Sequence, residues 1–157
     1  MSAFAFCNYT RFLTRTGGST GQAWQNFSVN QTRTYGGITY KFAPFAVSTG
    51  AGSKGGDRSE ASIGTGADPI SVNLFAEAAD ERWLVEIKTV SLDPLSFSDG
   101  ALIRSEIWRV GRPEFLDGTA VLRLTSPLDA VRDQVPNRYL TTRLVGALPT
   151  SASLVVS

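Results

Sequence analysis

The chain has 157 residues, a net charge of +1 and 42% hydrophobic residues. This length suits a single domain with a real core, and near-neutrality argues against specific attraction to nucleic acid or to an acidic membrane. Histidine is absent, and Cys7 is the only cysteine. These absences remove the usual general base, the Ser-His-Asp and Cys-His arrangements, an internal disulfide and a cysteine zinc site. We therefore predict a protein without enzymatic activity, metal or cofactor.

Residues 1–22 are predicted to form an N-terminal arm, with a strand as one option. Four aromatic side chains, Phe4, Phe6, Tyr9 and Phe12, provide anchors, and the stretch 16–21 contains three glycines, which is typical of a flexible joint. The arm lacks a basic leader followed by a long apolar run. We therefore expect synthesis in a reducing cytosol and no stable insertion into a membrane.

The next part of the chain mixes short strands with one helix. Residues 38–42 alternate as a strand does, and the glycine-rich stretch 48–68 predicts a loop that is mobile around 52–56. Asp68 followed by Pro69 is a typical helix start. The residues after it fit either a helix over 70–80 or a strand followed by one helical turn, and we prefer a helix over about 73–81.

Three consecutive strands between Trp83 and Pro127 organise the sequence. They are predicted at 83–92, 101–110 and 119–126, with turn residues between them that include Gly111-Arg-Pro113 and Asp117-Gly118. In the first strand, Glu86 and Lys88 alternate with apolar neighbours, as in a sheet with one wetter face. The pattern predicts an antiparallel meander within a mainly β fold, a barrel or a sandwich with one short helix.

Two further features bear on function. Trp83 and Trp108 lie within apolar runs, so we expect them to mark the core rather than an exposed sugar-binding platform. Asp129 and Asp133 have the spacing of one helix face, and such a pair could serve a small hydrolase, but a solvated helix face is the preferred interpretation.

The end of the chain is predicted to be a short tail. We divide the sequence into the arm 1–22, a β-rich domain 23–148 and a tail 149–157 that contains Leu154, Val155 and Val156. The apolar ends are predicted either to add edge strands to their own sheet or to dock on a neighbouring subunit. The candidate docking residues are Phe4, Phe6, Phe12, Leu154, Val155 and Val156.

Four short motifs follow one another along the chain: Gly-Ile-Thr-Tyr-Lys-Phe-Ala-Pro-Phe at 37–45, Ser-Glu-Ile-Trp-Arg-Val at 105–110, Val-Leu-Arg-Leu-Thr-Ser-Pro at 121–127 and Pro-Asn-Arg at 136–138. Their order resembles the N-terminal region of the minor tail proteins at the tail tip of lambda-like long-tailed phages. The resemblance covers about residues 36–140. Lambda-type members continue into a cysteine-bearing region that this chain lacks, so no metal-cluster role carries over.

The resemblance implies a structural virion protein of a tail tip or baseplate hub, assembled in the host cytoplasm. It would form a homo-oligomeric ring, a trimer or a hexamer, that connects the distal tail to the central hub or fibre. The alternative from another functional class is a β-sandwich module that binds carbohydrate through exposed aromatic side chains.

Overall fold

A computed structural model describes residues 5–49 and 60–127. Within these residues the fold is mainly β, with nine strands and one helix. The elements are β1 (Ala5–Leu13), β2 (Ser19–Gln25), β3 (Thr32–Tyr35), β4 (Ile38–Phe42), β5 (Phe45–Thr49), β6 (Glu60–Gly66), α1 (Pro69–Asp80), β7 (Leu84–Leu92), β8 (Asp99–Leu116) and β9 (Thr119–Thr125).

The described strands form one mixed sheet in the order β3-β4-β2-β1-β7-β8-β9-β6-β5. Strands β2 and β4 pair in parallel, and the other pairs are antiparallel. Only Ala43 and Pro44 separate β4 from β5, although β5 lies at the far edge of the sheet. The sheet must therefore curl until its two ends approach each other. No ladder between described residues joins those ends, so the sheet is open and sandwich-like, and the predicted barrel alternative is not adopted.

The helix begins where Asp68 and Pro69 indicated, and it is longer than the preferred range of 73–81. The Asp68 carboxylate accepts hydrogen bonds from the backbone N–H groups of Ile70 and Ser71, at 2.9 and 3.0 Å. The Ser71 hydroxyl donates to the same carboxylate, and these bonds lower the pKa of Asp68. Because the cap satisfies the first free donors, the helix starts at Pro69 and the competing strand does not form.

Two apolar clusters stabilise the described fold. The larger core lies between α1 and one face of the sheet, and the smaller core lies on the opposite face, where the β3–β4 hairpin covers β1 and β7. The larger core contains Phe12, Trp24, Phe45, Ala61, Ile63, Leu74, Phe75, Ala78, Trp83, Val85, Ile87, Trp108, Val110, Ala120, Leu122 and Leu124. The smaller core contains Cys7, Tyr9, Tyr40, Val90 and Leu92.

The N-terminal residues differ most from the sequence-based prediction. The strand option is confirmed by β1, but this strand lies inside the sheet between β2 and β7 and is not a separate arm. The expected flexible joint at 16–21 is instead a tight turn and the start of β2, with the Thr14 N–H donating to the Gly18 carbonyl at 2.7 Å. Gly17 has φ +87°, a conformation that glycine adopts without strain, and this allows the turn.

The antiparallel meander of β7, β8 and β9 agrees with the prediction, except for one turn. Residues 111–113 were expected to end the second strand, but β8 continues through them to Leu116. The register shifts between Val110 and Pro113, which accommodates a proline within the strand. The result is an 18-residue strand beside a 7-residue β9.

Candidate functional site

The difference in length between β8 and β9 leaves part of β8 without a partner on one side. Arg109 of β8 pairs with Thr125, where β9 ends, so β9 covers only the C-terminal half of β8. From Asp99 to Trp108, β8 pairs with β7 on one side, and no described residue forms a ladder with its other side. We call residues 99–108 the free edge. In the ranges 5–49 and 60–127 no strand pairs with its outward backbone groups, and groups of this kind can pair with an additional strand.

The free edge carries apolar side chains in contact with solvent. Leu102, Ile103 and Ile107 are 49%, 55% and 50% exposed. The edge contains neither proline nor lysine, the residues that commonly prevent strand-to-strand association. A long edge with exposed apolar residues is a typical site of β-strand addition.

Two charged residues of the free edge pair with each other on the same face. Arg104 Nη2 lies 2.6 Å from Glu106 Oε1, and Arg104 Nη1 donates to the Thr49 hydroxyl at 2.8 Å. Glu106 also accepts a hydrogen bond from the Trp108 indole at 3.1 Å. These contacts fix a cation and an anion two residues apart in the middle of the edge.

A second polar cluster centres on Arg33 at the β7–β8 turn, where the free edge begins. Arg33 Nε donates to the Tyr9 hydroxyl, and Nη2 donates to the Phe97 carbonyl and to Asp99 Oδ1, each at 2.9 Å. The Tyr9 hydroxyl donates to the same Asp99 oxygen at 2.6 Å, and the guanidinium lies 5.5 Å from the centre of the Phe27 ring. We call Arg33, Tyr9 and Asp99 the arginine clamp.

The arginine clamp holds the β7–β8 turn against β3. Phe97 has φ +55°, a left-handed conformation that is uncommon for a bulky residue and persists where the surrounding contacts determine it. A cleft of about 400 Å³ opens beside the clamp. Its lining residues are Asn30, Thr32, Arg33, Thr34, Ser96, Phe97, Ser98 and Asp99.

The electrostatics of the arginine clamp favour a structural role. Burial, followed by the hydrogen bond to Asp99, raises the pKa of Tyr9, and burial raises the pKa of the Cys7 thiol. Both groups therefore stay neutral near pH 7, and neither is activated as a nucleophile. The charges of Arg33 and Asp99 neutralise each other. The clamp connects elements rather than presenting a reactive group.

The candidate docking residues have different positions. Phe12 is completely buried in the larger core, so its proposed docking role is wrong: β1 is an inner strand and its side chain packs against Trp24 and Trp83. Phe6 is half exposed. Phe4, Leu154, Val155 and Val156 lie outside the described residues, as do Asp129, Asp133 and the glycine-rich residues 52–56.

The tryptophans do not form a surface platform. Trp83 and Trp108 are each 5% exposed, Trp24 is 8% exposed, and all three lie in the larger core. Their indoles lie between helix and sheet, where they are inaccessible to a sugar ring. The stacked indoles on which a carbohydrate-binding module commonly depends are therefore missing from the described surface.

The free edge and the arginine clamp were not identified from the sequence. The free edge had one signal, since the predicted second strand was longer than the third, but the extension through residues 111–113 was needed to define it. The clamp had none, because its residues are distant in the sequence: Tyr9, Arg33 and Asp99 meet only through the sheet order.

In the described ranges, 5–49 and 60–127, no group of three or more histidine, cysteine, aspartate or glutamate residues is placed to hold a metal ion. The same part of the chain contains no helix long and apolar enough to cross a membrane. No protein-family model matches the sequence. No curated protein matches the sequence either.

Proposed function

We propose that this chain is a structural, non-enzymatic virion protein of a phage tail tip or baseplate hub. In this proposal it forms a ring, a trimer or a hexamer, that connects the distal tail to the central hub or fibre. The observation that carries the assembly role is the free edge, 99–108, with its three exposed apolar side chains. Such an edge gains backbone hydrogen bonds and apolar burial when a neighbouring chain adds a strand.

The assignment to a tail tip is supported by the order of the sequence motifs between residues 36 and 140. The motif residues include Tyr40, Phe45, Trp108, Leu122 and Leu124, which are all buried. These positions specify packing, so a resemblance that depends on them concerns the fold first. The role in the tail follows from that resemblance, and the free edge adds a surface suited to it.

The decisive experiment uses a phage that carries this gene. Purified virions are analysed by mass spectrometry, with the chain supplied from a plasmid as parent, Ile103→Lys or Leu95→Lys. Ile103 lies on the free edge, whereas Leu95 lies in the β7–β8 turn and is 92% exposed. Both changes place a lysine at an exposed apolar position, so Leu95→Lys is the matched control.

We expect parent and Leu95→Lys protein in virions and strongly reduced incorporation of Ile103→Lys, because a charge on the free edge opposes strand addition. Absence of parent protein from purified virions would overturn the virion assignment. Normal incorporation of Ile103→Lys would keep that assignment and exclude the free edge as the assembly surface.

A further inference from the structure

The free edge of one copy is complementary to the free edge of a second copy. This complementarity indicates a partner for the protein when it is not part of a larger assembly. We propose that two copies of the free protein pair along residues 103–107 as antiparallel strands, with Ser105 facing its counterpart across a two-fold axis. This inference concerns the free protein and goes beyond the proposed virion function. It rests on the faces, the charges and the apolar residues of the edge.

The faces of the sheet restrict the register. Ser105 and Ile107 pair with Lys88 and Glu86 of β7 and share their face, whereas Glu106 pairs with Ile87 and lies on the opposite face. In a continuous sheet, directly opposed residues point to the same face. A symmetric antiparallel pair must therefore be centred on one residue that faces the same residue of the second copy. A register centred between two residues is excluded, because it would oppose residues that lie on different faces of the sheet.

The charges then select among the remaining registers. Centring the pair on Arg104 opposes two cations, and centring it on Glu106 opposes two anions, which destabilises a cross-strand pair. Centring it on Ser105 places Arg104 opposite Glu106 of the second copy, twice by symmetry, whereas centring it on Ile103 or Ile107 avoids like charges but gains no such pair. The intrachain contact between Arg104 and Glu106 shows that both side chains already lie on one face, within reach of such a neighbour.

The same register matches the apolar residues. Ile103 of one copy lies opposite Ile107 of the other, again twice by symmetry, and each side chain is about half exposed in the single chain. An isologous contact of this kind closes on itself and leaves neither free edge available. The pair is therefore a resting form of the free protein, and it must open before either edge can accept a strand from another neighbour.

A charge-swap experiment tests this pairing. Sedimentation velocity is measured for the parent, for Arg104→Glu, for Glu106→Arg, for the double variant and for an equimolar mixture of the two single variants. We expect the parent to dimerise and each single variant to dimerise at least about tenfold more weakly, since two attractive pairs become two repulsive pairs. The double variant and the mixture should recover dimerisation.

The mixture is the most informative arm. Each single variant lacks its own Arg104–Glu106 contact whether it is alone or mixed, so a purely intrachain effect persists in the mixture. Recovery in the mixture therefore reports charges that face each other between copies. Circular dichroism of each variant verifies that the chains are folded.

A cysteine variant tests the register directly. Directly opposed residues in an antiparallel pair have Cα atoms about 4.5–5.5 Å apart, which permits a disulfide. We expect Ser105→Cys to form a covalent dimer on mild oxidation. Ile103→Cys serves as the control, because in this register it faces Ile107 of the second copy rather than itself. The native Cys7 is buried and should not cross-link.

Three results would overturn the proposal. The first is a parent protein that stays monomeric up to its solubility limit. The second is a mixture of single variants that dimerises no better than either alone. The third is more cross-linking at residue 103 than at residue 105. None of these results bears on whether the chain occurs in virions, so this proposal and the proposed function can fail separately.

Discussion

Arg33 connects three parts of the molecule that are distant in the sequence. Its guanidinium contacts the Tyr9 hydroxyl in β1, the Phe97 carbonyl in the β7–β8 turn and the Asp99 carboxylate at the start of β8. Hydrogen bonds to charged groups inside a protein are stronger than neutral ones. The arginine clamp therefore stabilises the position of the β7–β8 turn, from which the free edge begins.

The arginine clamp makes stability sensitive to alkaline pH through Tyr9. An unfolded tyrosine titrates near pH 10.0, and burial, followed by the hydrogen bond to Asp99, raises the pKa of Tyr9 in the folded protein. The stabilisation by the Tyr9 proton is therefore complete below pH 10 and is lost as pH rises toward the folded pKa. One proton contributes a slope of about 1.4 kcal/mol per pH unit to the free energy of unfolding.

We expect Tyr9→Phe to unfold more easily at pH 8 and to lose stability less steeply above about pH 10 than the parent does. Denaturant titrations across this pH range measure both quantities. Val90→Ala is the control, because it damages the same smaller core without removing a titratable group. Its free energy of unfolding should be lower than that of the parent but should fall equally steeply with pH. If the free energy of unfolding of Tyr9→Phe fell with pH as steeply as that of the parent, the assignment of the proton to Tyr9 would be wrong.

Strand β8 is the middle strand of the meander and pairs with both outer strands, β7 and β9. Its N-terminal half pairs with β7 and its C-terminal half with β9, and the register shift between Val110 and Pro113 lies at the exchange. Gly111 lies in this shift. A Cβ atom at Gly111 would be 3.0 Å from the Arg123 carbonyl oxygen, a backbone atom that can move only with its strand.

Gly111→Ala should destabilise the protein by about 1–3 kcal/mol, because β8 and β9 must separate to accept the methyl group. Gly64→Ala in β6 is the matched control: a Cβ atom at Gly64 meets nothing within 4 Å. That change should be neutral or slightly stabilising, since it restricts the unfolded chain. Chemical denaturation of both variants tests the difference, and equal stabilities would show that β8 and β9 do not constrain Gly111.

Local patterns in the sequence predicted the elements better than their connections. The strand after Trp83 depends on neighbouring residues and was predicted. Asp68 and Pro69 likewise indicated the helix start, although the preferred range began at 73. The inner position of β1 depends on pairing with β7, about eighty residues away, and its alternation does not identify that partner. The continuation of β8 through Gly111 and Pro113 likewise depends on β9, because the pairing with β9 resumes after the register shift.

At the scale of the whole molecule, the larger and smaller cores share two strands. In β1, Phe12 belongs to the larger core and Tyr9 to the smaller core. In β7, Val85 belongs to the larger core, whereas Leu92 belongs to the smaller core. Neither core can lose its packing without disturbing the strands that support the other. We therefore expect the described residues to unfold as one cooperative unit.

Among the described residues, the tryptophans report on the larger core and the tyrosines on the smaller core, which allows a direct test of this cooperativity. All three tryptophans lie in the larger core, and Tyr9 and Tyr40 lie in the smaller core. Leu122→Ala in the larger core and Leu92→Ala in the smaller core should each reduce the free energy of unfolding by about 2–5 kcal/mol. In each variant, tryptophan fluorescence and tyrosine circular dichroism should give the same midpoint, because shared strands transmit the loss from one core to the other. A Leu92→Ala protein whose tyrosine signal melts well before its tryptophan signal would contradict cooperative unfolding and would identify the β3–β4 hairpin as a separately unfolding unit.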